Sequence, residues 1–131
     1  RKSIITIKKK DKILCAKFRK GHFEGVLDVM DRLTNLIKPN KIFMGKKDYQ
    51  QLFLVKRFIE NKYSTKVIGC KTIRNKNKLA LSSRNYLLDK DDLVITGKIS
   101  KVFSLLKRKI KDKKNINKFL IEEKKKYTKN V

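Results

Sequence analysis

The sequence predicts an α/β protein built on a parallel sheet with crossover helices. Short β-rich apolar runs alternate with longer stretches whose apolar residues recur every three or four positions, and the connections between them are brief. The order β, α, β, α, β follows over the first seventy residues, and that alternation is the pattern of parallel strands joined by helices.

The elements can be justified in turn. Ser3–Ile7 (SIITI) is β-rich and apolar enough for a buried strand, and KKKDK after it is a charged turn. Ile13 to Phe18 is short and ambiguous, and RKGH (Arg19–His22) breaks it with a glycine. From Glu24 to Ile37, Val26, Val29, Met30, Leu33, Leu36 and Ile37 form one face of an amphipathic helix. It stops at Lys38-Pro39-Asn40, because the residue before proline avoids the helical region. KIFM (Lys41–Met44) is a second strand. Tyr49, Leu52, Val55, Phe58 and Ile59 mark a second helix, and TKVIGC (Thr65–Cys70) a third strand. Past Asp89 an acidic helix start leads into Ile95, Ile99, Val102, Phe103, Leu106 and Ile110. A further helix is expected over Ile116–Tyr127, with a polar tail from Lys124 that frays.

Composition bounds the function. The chain has 131 residues, 40% of them hydrophobic, with 37 Lys+Arg against 12 Asp+Glu and a formal charge of +25. Such a field attracts polyanions. The lysines are nevertheless spread along the whole chain. Phe23, Phe43, Phe53 and Phe58 fall at core-like spacings rather than between charges as stacking platforms. Nucleic acid is therefore not the expected partner. Two distant cysteines, Cys15 and Cys70, and one histidine form no zinc pattern. Both thiols are expected to be buried or semi-buried, in a reducing cytoplasmic compartment. No apolar run is long enough to span a membrane, and no leader pattern is present. The sequence opens on Arg1, as expected of a cut end.

The chemistry concentrates in two places. GKKD (Gly45–Asp48) lies where a strand ends and a helix begins, which is where open α/β sheets bind ligands. Free N–H groups at that helix start favour an anion, and a lysine beside them grips phosphate. Asp48 reads equally well as a helix cap or as a ligand contact. Further on, LALSSRN sets two hydroxyls and a guanidinium together, directional donors for phosphate oxygens, although Ser-Asn clusters are commonly plain turns.

RKGHFEGV, PNKIFMGKKDYQQL and KLALSSRN, in that order, together resemble the pantothenate synthetases, the pantoate–β-alanine ligases of the cytidylyltransferase-like, Rossmann-like superfamily. The resemblance covers about Leu14 to Asp89. It implies a two-step reaction: ATP and pantoate give pantoyl adenylate and pyrophosphate, then β-alanine attacks and AMP leaves. It implies that Lys47 grips the phosphates, that Gly45 and Asp48 contact the ATP ribose, and that Gln51 binds pantoate. Ser82, Ser83 and Arg84 match a phosphate-binding loop, Ile73 a position beside the adenine, and Arg19 and His22 a motif on the pantoate side. Lys47, Ser82 and Arg84 are the implied catalytic set. Mg2+ is implied by ATP chemistry rather than by a ligand cluster here, and a homodimer is implied for the whole protein. Residues 1–88 correspond to the second half of the nucleotide-binding domain and 89–131 to the start of a lid-like C-terminal domain.

The chain departs from the family pattern. Lys20 replaces a proline, Lys46 a glutamate, and Lys78 a glycine, which questions the tight backbone there. Asp28 stands where a small hydroxylated residue is common, and the tyrosine of Asn85-Tyr86-Leu87-Leu88 stands out of its usual place. The family's H-x-G-H motif is absent, so the sequence reads as an internal fragment of such an enzyme, expected to be inactive alone. Two alternatives stay open: a non-catalytic basic nucleic-acid-binding module on the same fold, and an adenylyl-transferring relative with a different acid substrate. Retention of Gln51 beside Lys47 and Asp48 weighs against the first, since a polyanion binder has no use for it.

Overall fold

The computed structural model describes residues 5–109, 117, 118, 121 and 122. Two units are distinguished, Arg1–Thr72 and Ile73–Val131, and each is best understood separately.

In the first unit, a single helical turn α1 (Cys15–Phe18) precedes α2 (His22–Ile37). β1 (Lys41–Gly45) follows, then a 3-10 turn over Lys46–Asp48, α3 (Tyr49–Lys62) and β2 (Lys66–Cys70). β1 and β2 are parallel, in register from Lys41 opposite Lys66 to Gly45 opposite Cys70. α3 is therefore the crossover of a β–α–β unit. It packs on the sheet, and α2 packs on it.

Local chemistry explains these boundaries. Gly21 takes φ +76 at the start of α2, a left-handed conformation that costs glycine little and other residues more. At the other end Lys38 also turns left-handed, its N–H bonded to the Thr34 carbonyl at 2.8 Å, and Pro39 prevents continuation. Thr65 donates its hydroxyl to the Pro39 carbonyl at 2.6 Å, and the Lys66 N–H reaches the Asn40 carbonyl at 3.0 Å. The entry to β2 is thus fastened to the entry to β1. On α3, Glu60 accepts the Val67 N–H at 2.9 Å while Lys56 donates to the Val67 carbonyl at 3.1 Å. One turn of helix thereby occupies backbone groups of an edge strand that would otherwise offer themselves to another chain.

The core consists of Ile7, Ala16, Phe23, Leu27, Leu52, Leu54, Val55, Ile59 and Val67. Its composition corrects several expectations. α2 buries Phe23, Leu27 and Thr34, whereas Val29, Leu33, Leu36 and Ile37 are exposed. The helix carries two apolar stripes, and periodicity alone does not say which one packs. Thr34 can occupy the buried one because its hydroxyl donates to the Met30 carbonyl at 2.7 Å. α3 buries Leu52, Val55 and Ile59 as expected, adds Leu54, and leaves Tyr49 exposed. Phe43 and Phe53 are exposed as well. Phe43 stands opposite Ile68 on the sheet face away from α3, while the Phe53 ring carries the Arg57 guanidinium 5.2 Å from its centre. Cys15 and Cys70 are free and exposed rather than buried. Cys70 ends β2 on the same outward-facing alternation as Ile68, so its register sends it away from the core.

Residues 5–7 form no strand, although Ile7 is buried in the core. A strand requires a backbone neighbour, and the described sheet has two strands, β1 and β2. Ser3 and Ile4 lie outside the described residues.

The second unit begins with a tight hairpin. Arg74 and Ala80 form an antiparallel bridge, the Leu81 N–H donates to the Ile73 carbonyl at 3.0 Å, and Asn75 closes the turn by accepting the Leu79 N–H on its side chain at 2.9 Å. Lys78 holds φ +65, so the left-handed backbone persists although lysine stands where glycine would be comfortable. A 3-10 helix over Ser83–Leu87 follows, and then α4 (Lys90–Lys109), whose start is capped by Asp89 accepting the Asp92 N–H at 2.7 Å. The acidic helix start is therefore as expected. Ile110, the turn after it and the tail from Lys124 lie outside the described residues. Of the helix expected over Ile116–Tyr127, the four described residues are helical.

Candidate functional site

The Lys46–Asp48 turn stands at the carboxyl end of β1 and leads directly into α3. Asp48 occupies the N-cap position of α3 without using it: its side chain accepts no capping hydrogen bond. Its carboxylate instead lies 3.7 Å from the Lys47 ammonium, the two side chains being 67% and 45% exposed. The first N–H groups of a fourteen-residue helix are thus left without a side-chain cap, beside a lysine and at the end of a parallel strand. Gly45 adds room, since a Cβ placed there would meet nothing within 4 Å.

Lys46 and Lys47 have different situations. A Cβ at Gly69 would stand 3.1 Å from Lys46 Cε and 3.0 Å from Leu52 Cδ2, so the Lys46 stem lies close over β2 at its glycine, and a larger residue there would make it shift. Lys47 instead pairs with Asp48 at 3.7 Å, its side chain 45% exposed.

The adjacent glutamines also divide their work. Gln50 donates its amide to the Ile13 carbonyl at 2.8 Å and to the Asp11 carbonyl at 3.3 Å. Gln51, on the first turn of α3, is half-buried and makes no such side-chain bond among the described residues. Two turns along α3 from Gln50, Arg57 forms a bidentate pair with Asp11 by donating from both terminal guanidinium nitrogens. That hydrogen-bonded guanidinium holds the Asp11 carboxyl below its usual value against the opposing effect of burial. The residues 9–14 are thereby clamped to the helix that carries Gln51, and Leu14, at φ +50, is held beside the clamp. Sequence reasoning missed Asp11, Gln50 and Arg57. A trace of them exists, since Asp11 is an acid among lysines in KKKDK and Gln50 and Arg57 share one face of α3 at seven-residue spacing.

A second link joins α2 to α3. Burial opposes ionisation of Asp31, but hydrogen bonds from Lys62, at 2.8 Å, and from the Tyr63 hydroxyl, at 2.7 Å, outweigh it and lower the carboxyl's pKa.

In the second unit, the hairpin bonds Ile73 to Leu81, so Ile73 lies one residue in pairing from Ser82. Ser82 accepts the Arg84 N–H on its hydroxyl at 3.3 Å, starting the 3-10 helix, and Asn85 donates to the Ala80 carbonyl at 3.0 Å. Ile73, Ser83 and Arg84 are exposed. Gly45, Lys47, Asp48 and Gln51 are therefore gathered within the first unit, and Ile73, Ser82, Ser83 and Arg84 within the second. His22 begins α2, its N–H on the Arg19 carbonyl at 3.2 Å and its ring 5.0 Å from that of Phe23.

The family model for pantoate–β-alanine ligase matches residues 2–131. The chain belongs to the pantoate–β-alanine ligase family. It is 45% identical over 98 residues to the pantothenate synthetase of Campylobacter hominis, covering 74% of this chain and 35% of that protein. It is 46% identical over 89 residues to that of Coxiella burnetii, covering 67% and 35%. The Thermus thermophilus pantothenate synthetase structure superposes with a TM-score of 0.75 at 29% identity, covering 82% of this chain and 40% of that one. The Francisella tularensis pantoate-beta-alanine ligase, complexed with beta-gamma ATP and beta-alanine, superposes with a TM-score of 0.68 at 40% identity, covering 76% and 39%. The chain thus spans about a third of the length of the curated relatives it matches. The α/β parallel architecture of the first unit is that of the family's Rossmann-like fold.

Proposed function

We propose that the protein carrying this chain condenses pantoate with β-alanine at the expense of ATP, through a pantoyl adenylate, releasing pyrophosphate and then AMP. The observation that carries this reading is the Lys46–Asp48 turn, which ends β1 and starts α3 with no side-chain cap. Lys47 stands there in solvent beside helix N–H groups that Asp48 leaves uncapped.

In this reading Lys47 neutralises the charge that develops on the phosphates as the pantoate carboxylate displaces pyrophosphate from the α-phosphorus. No nucleophilic side chain is needed, because the reaction is an in-line displacement governed by positioning and charge. Gly45 and Asp48 contact the ribose, with Gly45 leaving the room that such contact needs. Gln51 holds pantoate; its uncommitted amide supports that role, whereas the neighbouring Gln50 is occupied by the clamp. Ser82, Ser83 and Arg84 bind phosphate, and Ile73 lies beside the adenine. The division at Leu88 between nucleotide-binding and lid-like portions belongs to the same proposal. So do a homodimer of the whole protein and a cytoplasmic setting, the latter supported by two free thiols. Among the described residues no group of three His, Cys, Asp or Glu side chains could hold a metal. Mg2+ therefore enters as the counter-ion of the ATP phosphates, which usually supply much of its coordination themselves.

Product analysis tests the reading. With ATP and pantoate alone, pyrophosphate should accumulate without ADP, and AMP should be released only once β-alanine is added. Formation of ADP, or equal turnover with other hydroxy acids in place of pantoate, would reject it.

A further inference from the structure

The second unit contains a basic cavity that the adenylation chemistry does not use. Its volume is about 790 Å3, and all its lining residues lie between positions 76 and 108, on the tip of the hairpin and on one side of α4. None of the residues assigned above to ATP or pantoate lines it. Lys76, Lys78, Lys98, Lys101 and Arg108 surround it, and among the described residues no carboxylate does. Leu93, Val94 and Leu105 supply an apolar wall.

Two details set this cavity apart from the general lysine richness of the chain. Lys78 reaches the cavity from a left-handed backbone, at φ +65, which is unfavourable for lysine; the turn is kept by Asn75 and by Arg74, which donates to the Lys78 carbonyl at 3.0 Å. Gly97 lines the cavity from the interior of α4, where glycine weakens a helix. A Cβ there would meet nothing within 4 Å, so no packing constraint accounts for the glycine, and any larger side chain would extend into the cavity.

We propose that this cavity binds a small organic phosphate or diphosphate with an apolar body. Cations from the hairpin tip and from α4 neutralise the anionic group, Ser100 offers it a hydroxyl donor while the Ser104 hydroxyl is spent on the Ser100 carbonyl at 2.9 Å, and the leucine and valine wall takes the apolar part. The volume is that of a small-molecule site. The proposal is independent of the ATP assignment.

Geranyl diphosphate is a suitable probe, titrated calorimetrically into the full chain at fixed salt. Saturable binding is expected. Gly97→Leu should weaken it at least tenfold without removing a charge, and Gly97→Ala should leave it within about twofold. The pair Lys98→Gln/Lys101→Gln should also weaken it at least tenfold, which keeps the test decisive if Gly97→Leu fails to fold. The control pair Lys8→Gln/Lys41→Gln and the variant Lys47→Ala should each leave it within twofold. Binding that does not saturate, or that falls equally in the control pair, would show diffuse charge attraction and overturn the proposal. Loss confined to Lys47→Ala would place the diphosphate in the ATP site and overturn it as well. So would a single-stranded RNA that displaces the probe at lower concentration than inorganic diphosphate does.

Discussion

The two units hold their candidate site residues by different means. Every residue of the buried core lies between Ile7 and Val67, and among the described residues after Thr72 no apolar side chain is buried. Lys47, Asp48 and Gln51 sit at the start of a helix whose Val55 and Ile59 are wholly inaccessible to solvent. Ser82, Ser83 and Arg84 sit in a segment held by backbone bonds, the Asn75 turn and the Asp89 cap, while Ile73, Leu81, Tyr86 and Leu87 around it are exposed. The proposed phosphate grip of Lys47 would therefore be built on a packed frame. The serine–arginine loop rests on local hydrogen bonds, which open at lower free energy than a packed core.

Ile59→Ala should cost the most, about 4 kcal/mol of stability by denaturant unfolding, because it empties a fully enclosed position. A cost below about 1 kcal/mol would mean that the first unit is not the rigid one. Lys47→Ala should leave stability nearly unchanged and lower the adenylation rate roughly a hundredfold, about 3 kcal/mol at the transition state. The comparison sharpens if Arg84→Ala loses less than Lys47→Ala, as an adjustable loop implies.

Arg57→Met should cost about 2 kcal/mol, since it strands the Asp11 carboxylate and loosens residues 9–14. The effect has a pH signature. Asp11 titrates below its ordinary 3.8 in the folded chain, so its stabilisation is complete above that value and is lost as pH falls through the lower folded one. Urea unfolding should show the wild type losing stability below about pH 3.8 more steeply than Arg57→Met, with the remaining slope coming from Asp31 and Glu60, whose carboxyls are lowered in the same direction. Parallel slopes would dissolve the clamp. Ile99→Ala should have the smallest effect, within about 0.5 kcal/mol, because Ile99 is exposed on α4.

The contrast also shows what a sequence can display. Gly45, Lys47, Asp48 and Gln51 fall within seven residues of sequence, so their grouping at a strand end follows from local order once the alternation of strands and helices is seen. The halt of α2 at Pro39 and the Asp89 cap are equally local. The buried stripe of α2 was not legible, because Val29, Leu33 and Leu36 are as apolar and as regularly spaced as Phe23, Leu27 and Met30. What decides is the packing of α3 against α2 and a threonine hydroxyl satisfied within its own helix. Gln50 and Gln51 are indistinguishable as letters; the carbonyls of Asp11 and Ile13, thirty-seven or more residues away, separate them. Exposure of Phe43 and Ile68 likewise depends on which sheet face α3 covers, not on the composition of the strands.

Pantoate-dependent exchange of labelled pyrophosphate into ATP, measured without β-alanine on the whole protein that carries this chain and on its Lys47→Ala variant, bears most directly on the assignment of that lysine. Reversible adenylation predicts exchange that requires pantoate and falls about a hundredfold in the variant. Exchange that proceeds without pantoate, or unchanged rates in Lys47→Ala, would contradict it.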